Sequence, residues 1–187
     1  MATANGTVDF SGTITSAVNE DNNFTINSGT GNVTISDAIG TASASNGEIG
    51  TLKIIAECGV NDIEIEDIAG AALTLIGSPE TDVLTLTGTT YTTTDDAEYE
   101  GEGIVISGTN PTFTSNTKNI DFLDAAADSI KLGNSSNLTV NSTGAGSISF
   151  AADIIGTAEG AATDITVAAG SGNVTVFGIG HATNDIN

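Results

Sequence analysis

The chain has 187 residues, 39% of them hydrophobic, which is enough for one well-buried domain, and no composition break indicates a second. Three Lys and no Arg stand against 24 Asp and Glu, a formal net charge of −21 that makes nucleic acid and anionic lipid poor partners. One Cys excludes an intrachain disulfide, and neither a signal peptide nor an apolar run long enough to span a membrane is visible. We therefore expect one elongated domain over residues 1–187.

Apolar residues recur in short alternating triplets along the chain, and this two-residue period is typical of β-strands. The triplets are Phe24-Thr25-Ile26, Val33-Thr34-Ile35, Leu73-Thr74-Leu75, Leu84-Thr85-Leu86, Leu138-Thr139-Val140, Ile148-Ser149-Phe150, Ile165-Thr166-Val167 and Val174-Thr175-Val176. In each triplet the outer two residues are predicted to face inward and the middle residue outward. Only Asp121 to Ile130 comes near helical spacing, and it is short, so we expect very little helix.

Four stretches are versions of one module, with a triplet, a turn rich in Gly or Asn, a second triplet, and then an Ile followed closely by Gly. They begin at Asn23, Thr51, Asn137 and Asp164. The two triplets of a module start about ten residues apart, which predicts a coil of about 20 residues. A coil of that size cannot cover its own inward face, so it needs a neighbour above and below, as in a solenoid.

Two segments, TGTTYTTTDDAEYEGEGIVISGTNPTFTSNTKNIDF and SISFAADIIGTAEGAATDITVAAGSGNVTVFGIG, resemble the β-strand repeats of filamentous-haemagglutinin-like bacterial surface adhesins. The resemblance extends over nearly all of residues 23 to 180. It implies an all-β fold, a right-handed parallel β-helix, on a secreted or surface protein that is often much longer. The alternative fold is an antiparallel β-sandwich, as in fimbrial or surface-layer subunits, which shares short alternating strands with frequent turns.

The sequence lacks the residues that most catalytic mechanisms need. The only histidine is His181 near the C-terminus, and Cys58 lies between two predicted strands, so a Ser-His-Asp or Cys-His arrangement is not expected. A carbohydrate-active β-helix enzyme is the third functional class considered, because carboxylate pairs are plentiful. The absence of Trp and Arg, which would hold a sugar, disfavours it. We predict no enzymatic activity and no certain cofactor.

Clustered carboxylates are the feature that could select a cation, because Ca²⁺ prefers hard oxygen ligands. The clusters are Glu20-Asp21, the segment Asp62 to Asp67, and the segment Asp95 to Glu102. Asp95, Asp96 and Glu98 are the candidate calcium ligands. No EF-hand loop or calcium-loaded nonapeptide repeat is present, and a solvated acidic face is the competing interpretation.

Threonine-rich strands raise ice binding as a further class, since regular Thr-x-Thr ladders on a flat solenoid face can match an ice lattice. The predicted outward middle positions do not form such a ladder. They are Thr25, Thr34, Lys53, Glu64, Thr74, Thr85, Val105 and Asp121.

Two structural roles remain open. The first is a stiff, acidic rod segment of an extracellular bacterial surface adhesin whose exposed surface contacts a host or surface polysaccharide. The second is a subunit that assembles head to tail into a filament, tube or surface layer, with cations screening the negative charge.

Overall fold

The protein is described by a computed structural model over residues 6–41, 47–56, 62–78, 81–124, 129–133, 136–157 and 164–180. Within these residues the chain forms no helix and 17 strands, which belong to one sheet. The strands are β1 Val8–Phe10, β2 Phe24–Asn27, β3 Val33–Ile35, β4 Ile49–Ile55, β5 Asp62–Ile65, β6 Ile68–Gly77, β7 Val83–Leu86, β8 Thr90–Thr93, β9 Ala97–Gly101, β10 Gly103–Ile106, β11 Thr112–Ser115, β12 Ile120–Asp124, β13 Ser129–Leu132, β14 Leu138–Ser142, β15 Ile148–Gly156, β16 Ile165–Ala168 and β17 Val174–Ile179.

The pairings between these strands are parallel, and each joins a strand to its equivalent one coil away. The result is a parallel β-solenoid of about six turns. This confirms the prediction of stacked coils. Parallel pairing excludes the antiparallel β-sandwich, whose hairpins would pair neighbouring strands in opposite directions.

Each coil passes over three faces of the sheet in a fixed order. Face 1 contains β1, β3, β5, β7, β10 and β13, face 2 contains β8, β11, β14 and β16, and face 3 contains β2, β4, β9 and β12. Strand β6 bends from face 2 to face 3, whereas β15 and β17 bend from face 3 to face 1. These bent strands join the three faces into one sheet.

The coils are unequal in length. Along face 1, paired positions are separated by as few as 20 residues, from Leu84 to Ile104, and by as many as 30, from Val33 to Ile63. The predicted coil of about 20 residues is therefore the shortest of those observed. Because each coil has three strands rather than two, most coils need more than 20 residues.

The core is a continuous column of inward side chains that runs through the coils. Ile35 and Ile148 are fully buried, as their triplets predicted. In the coils that contain β8 to β15 the core includes five aromatic rings, which stack or meet edge to face. They are Tyr91, Tyr99, Phe113, Phe122 and Phe150. The column buries apolar surface between successive coils, which is the main driving force of a solenoid.

One prediction about an individual element is wrong. In β6, Thr74 is fully buried and its neighbours Leu73 and Leu75 are half-exposed, the reverse of the predicted orientation. The register explains this, because Ile76 pairs with buried Ile54 and so places Thr74 on the inward side. The expectation of very little helix is confirmed: in the segment from Asp121 to Ile130, which comes nearest to helical spacing, the described residues belong to β12 and β13.

Polar side chains at the corners connect one coil to the next. The hydroxyls of Thr93, Ser115 and Ser142 point inward and donate to carbonyl oxygens of the preceding coil. At a neighbouring corner, Oδ1 of Asp96 accepts from the backbone N–H of Asn119, and Oδ1 of Asn119 accepts from that of Ser147, both at 2.9 Å. These bonds satisfy backbone groups that a change of strand direction would leave without partners.

Candidate functional site

The predicted calcium ligands lie at the corner between β8 and β9 and have different partners. Oδ1 of Asp95 is 3.2 Å from Nζ of Lys118, and Asp96 accepts the Asn119 N–H. Glu98 lies on the outer side of β9, in register with Asp121 of the next coil. In the described part of the chain, no group of three or more His, Cys, Asp or Glu side chains has a geometry that could hold a metal ion. Calcium binding stays a prediction.

Face 3 carries an acidic patch, formed by Asp96, Glu98, Glu100 and Asp121. Partial burial raises the pKa of Asp121, and the negative charges of Glu98 and Asp96 raise it further. Burial, followed by the charge of Glu98, also raises the pKa of Glu100. The patch therefore holds carboxylates whose ionised forms are disfavoured by their surroundings.

The other acidic clusters are arranged as strand periodicity predicts. In β5, Glu64 points outward and is exposed, whereas Ile63 and Ile65 are fully buried. Oδ1 of Asp67 accepts the backbone N–H groups of Thr89 and Thr90, so this carboxylate serves as a corner acceptor. Glu20 accepts from the side-chain amide of Asn22. Cys58 and His181 lie outside the described residues.

A threonine ladder lies on face 2, although the outward positions predicted from the sequence gave no such ladder. Thr90 of β8 pairs with Thr112 of β11, Thr112 with Thr139 of β14, and Thr139 with Thr166 of β16. Two residues further along each strand, a second outward column runs through Thr92, Thr114, Asn141 and Ala168. The ladder thus consists of four consecutive rungs on one face.

The four threonine side chains of the ladder are accessible to solvent. Thr90 and Thr166 are exposed, and Thr112 and Thr139, which have rungs above and below, are half-exposed. Within the described residues, none of these four side chains has a hydrogen-bond partner in the protein. The outward positions of the four strands are Thr, Asn or Ala, so the ladder carries no charge in a protein of net charge −21.

The aromatic column lies directly beneath the ladder. Tyr91 and Phe113, which lie between ladder positions on β8 and β11, point inward and stack with ring centroids 4.3 Å apart. The Tyr91 hydroxyl accepts from the Gly88 N–H at 2.8 Å, and burial raises the pKa of this phenol. At the same corner, Gly108 lies so close to the Gly88 carbonyl that a Cβ on Gly108 would clash with it. Packed rings and a tight corner hold the ladder strands in a fixed arrangement.

The ladder is visible in the sequence as TYT, TFT, TVN and TVA at residues 90–92, 112–114, 139–141 and 166–168. Its rungs are separated by unequal numbers of residues, which conceals their alignment. The predicted outward positions gave no ladder because they come from two other faces, as with Thr34 on face 1 and Thr25 on face 3.

No family model, curated protein or solved structure matches the chain. No helix long and apolar enough to cross a membrane occurs in the residues that the structure describes.

Proposed function

We propose that this chain is a stiff, non-catalytic rod segment of an extracellular bacterial surface adhesin. The observation that carries the proposal is the continuous inward column. Its members along face 3 are buried in successive coils: Ile26, Ile54, Ile76, Tyr99 and Phe122. A column that is packed coil on coil resists bending, because bending would open gaps between well-packed side chains. The net charge of −21 keeps such rods soluble and apart from one another.

The stiffness of the rod is tested by pulling the chain between its ends in an atomic force microscope. We expect the coils to resist extension and then to open in steps, because each coil is held by its two neighbours. Extension at low force, as for an unstructured linker of equal length, would contradict the rod. A second measurement addresses location: protease treatment of intact source cells should release peptides of this chain, and their recovery only after lysis would refute a surface position.

Head-to-tail assembly is the second candidate, and the last coil that the structure describes supports it. The described part of β17 has three apolar side chains in solvent: Val174 is 46% exposed, Phe177 77% and Ile179 58%. Val174 and Ile179 pair with fully buried Ile148 and Ile154 of the preceding coil, so they continue the inward column. At the other end of the described residues, Phe10 is only half-buried. Two such ends could cover each other and extend the sheet.

Assembly is tested by light scattering and electron microscopy while NaCl and CaCl₂ are titrated. We expect ordered polymers once cations screen the acidic surface, because unscreened charge keeps the copies apart. Ile179→Asp should abolish the polymers, since it places a charge at the interface. Val105→Asp, on the outer side of face 1, should leave them intact and is the matched control. Monomers at every salt concentration would refute this candidate.

A further inference from the structure

The outward threonines of face 2 form a regular array, with four of them in one column and two, Thr92 and Thr114, in the next. Neighbouring strands of a sheet lie about 4.8 Å apart, and alternate residues of one strand lie about 6.6 Å apart. The rungs Thr90, Thr112, Thr139 and Thr166 repeat at the first distance, and the pairs Thr90 with Thr92 and Thr112 with Thr114 at the second. A partner that meets all six threonines at once must itself be regular at both spacings.

The chemistry of the array restricts the partner further. Each rung offers a methyl group and a hydroxyl that has no partner in the described part of the chain, with no charge among them. Faces 1 and 3, in contrast, carry charges at equivalent outward positions, such as Glu64, Lys131 and Glu98. A neutral lattice of hydrogen-bonding groups fits face 2, whereas an ionic mineral surface would fit the charged faces better.

We infer that face 2 binds ice, with the threonine ladder in contact with the crystal surface. The hydroxyls take positions in the water lattice while the methyl groups fill the spaces between water molecules. A single hydroxyl–water contact contributes little net free energy. An array that the solenoid already holds in place loses little conformational entropy on binding, so many weak contacts add up.

A crystalline polysaccharide is the competing lattice, and the side chains disfavour it. Sugar surfaces are usually bound by exposed aromatic rings that stack on the pyranose faces. On β8 and β11 the aromatic residues are Tyr91 and Phe113, and both are buried beneath the ladder. The outward positions provide only small side chains, which suit water better than a sugar ring.

The test is carried out on the whole chain with ice as the probe. Fluorescently labelled protein is offered to a slowly growing ice hemisphere, and ice shaping and thermal hysteresis are measured in parallel. We expect the wild-type protein to enter the ice and to shape the crystals. Thr112→Lys and Thr139→Lys should each lose both effects, because a long charged side chain in the middle of the ladder holds the face away from the ice.

Thr85→Lys is the matched control, because it makes the same change on face 1, at a half-exposed position in the coil that contains Thr90. This variant should bind ice like the wild type. Circular dichroism melts establish that all three variants are folded. The inference is overturned if wild-type protein is excluded from ice as a non-binding control is, or if Thr112→Lys binds undiminished. Pull-down by crystalline chitin or cellulose that depends on Thr112, without ice binding, would also overturn it.

Discussion

Tyr91 and Phe113 stack face to face in successive coils, with their ring planes at 8° and both side chains about 1% exposed. This pair is the centre of the aromatic column. Phe113→Ala should therefore destabilise the fold by about 3–5 kcal/mol, because it removes a large buried side chain and leaves a cavity. The free energy of unfolding in urea measures this. Phe177→Ala removes a ring that is 77% exposed and should cost far less, and equal losses for both would contradict the inward column.

Ile35→Asp and Ile148→Asp should each prevent folding, because a charge in the apolar column costs several kcal/mol. Both side chains are fully buried. Thr34→Lys and Thr175→Lys are the controls, because both change side chains that point outward. Thr34 is next to Ile35 in β3, and Thr175 lies in β17, which pairs with the strand of Ile148. Each should alter the free energy of unfolding by about 0.5 kcal/mol or less. Thermal melts followed by circular dichroism compare the four variants. A cooperative, wild-type-like melt for either Asp variant would refute the assigned orientation.

Thr74→Val should stabilise the protein. The Thr74 hydroxyl is buried and has no hydrogen-bond partner among the described residues, so it carries a desolvation cost of about 1–3 kcal/mol that Val, of nearly the same shape, removes. Thr93→Val is the matched control, because the Thr93 hydroxyl donates to the Ala72 carbonyl at 2.7 Å and its loss should destabilise. Urea unfolding separates the two. A Thr74→Val variant no more stable than wild type would show that the hydroxyl is satisfied in solution.

The acidic patch on face 3 should make stability depend on pH. The pKa values of Asp121 and Glu100 are raised in the folded state, so the folded chain binds their protons more tightly than the unfolded chain. Above the folded pKa both carboxyls are ionised, and their unfavourable surroundings destabilise the fold to the full extent. This destabilisation disappears as the pH falls from the folded pKa to the lower pKa of the unfolded chain. Their contribution to stability therefore improves on acidification.

Asp121→Asn should reduce this pH dependence and raise the stability at neutral pH, since it removes one of the opposing charges. The urea midpoint is measured for both proteins from neutral pH downward through the carboxyl range. Asp9→Asn, which removes one charge from β1 on face 1, controls for net charge. Identical pH profiles for the wild type and Asp121→Asn would refute the role assigned to the patch.

The sequence was sufficient to predict the all-β solenoid, because strand period, small corner residues and a recurring module all agree. It was insufficient to predict which residues stack. The modules at Asn23 and Thr51 begin on face 3, whereas those at Asn137 and Asp164 begin on face 2, so similar segments occupy different positions. An alignment of the modules therefore does not give the alignment of the coils.

The orientation of Thr74 and the presence of the ladder could not be predicted, for related reasons. The segment from Ala71 to Ile76 is apolar on both sides of the strand, so either orientation satisfied the pattern, and only the pairing of Ile76 with Ile54 decides it. The ladder needs the register of four coils at once. That register is set by packing between residues 22 to 27 positions apart, from Thr90 to Thr112 and on to Thr139, which local periodicity cannot reveal.

The corner that runs from Asp96 through Asn119 and Ser147 to Asn173 is held by a carboxylate, an amide and a hydroxyl in turn, and each accepts a backbone N–H of the next coil. This corner requires only an oxygen acceptor. Deamidation of Asn119 to Asp would keep that oxygen and hence the bond. Because Asp, Asn and Ser side chains all supply that acceptor, each coil can use a different one of them without losing its connection to the next.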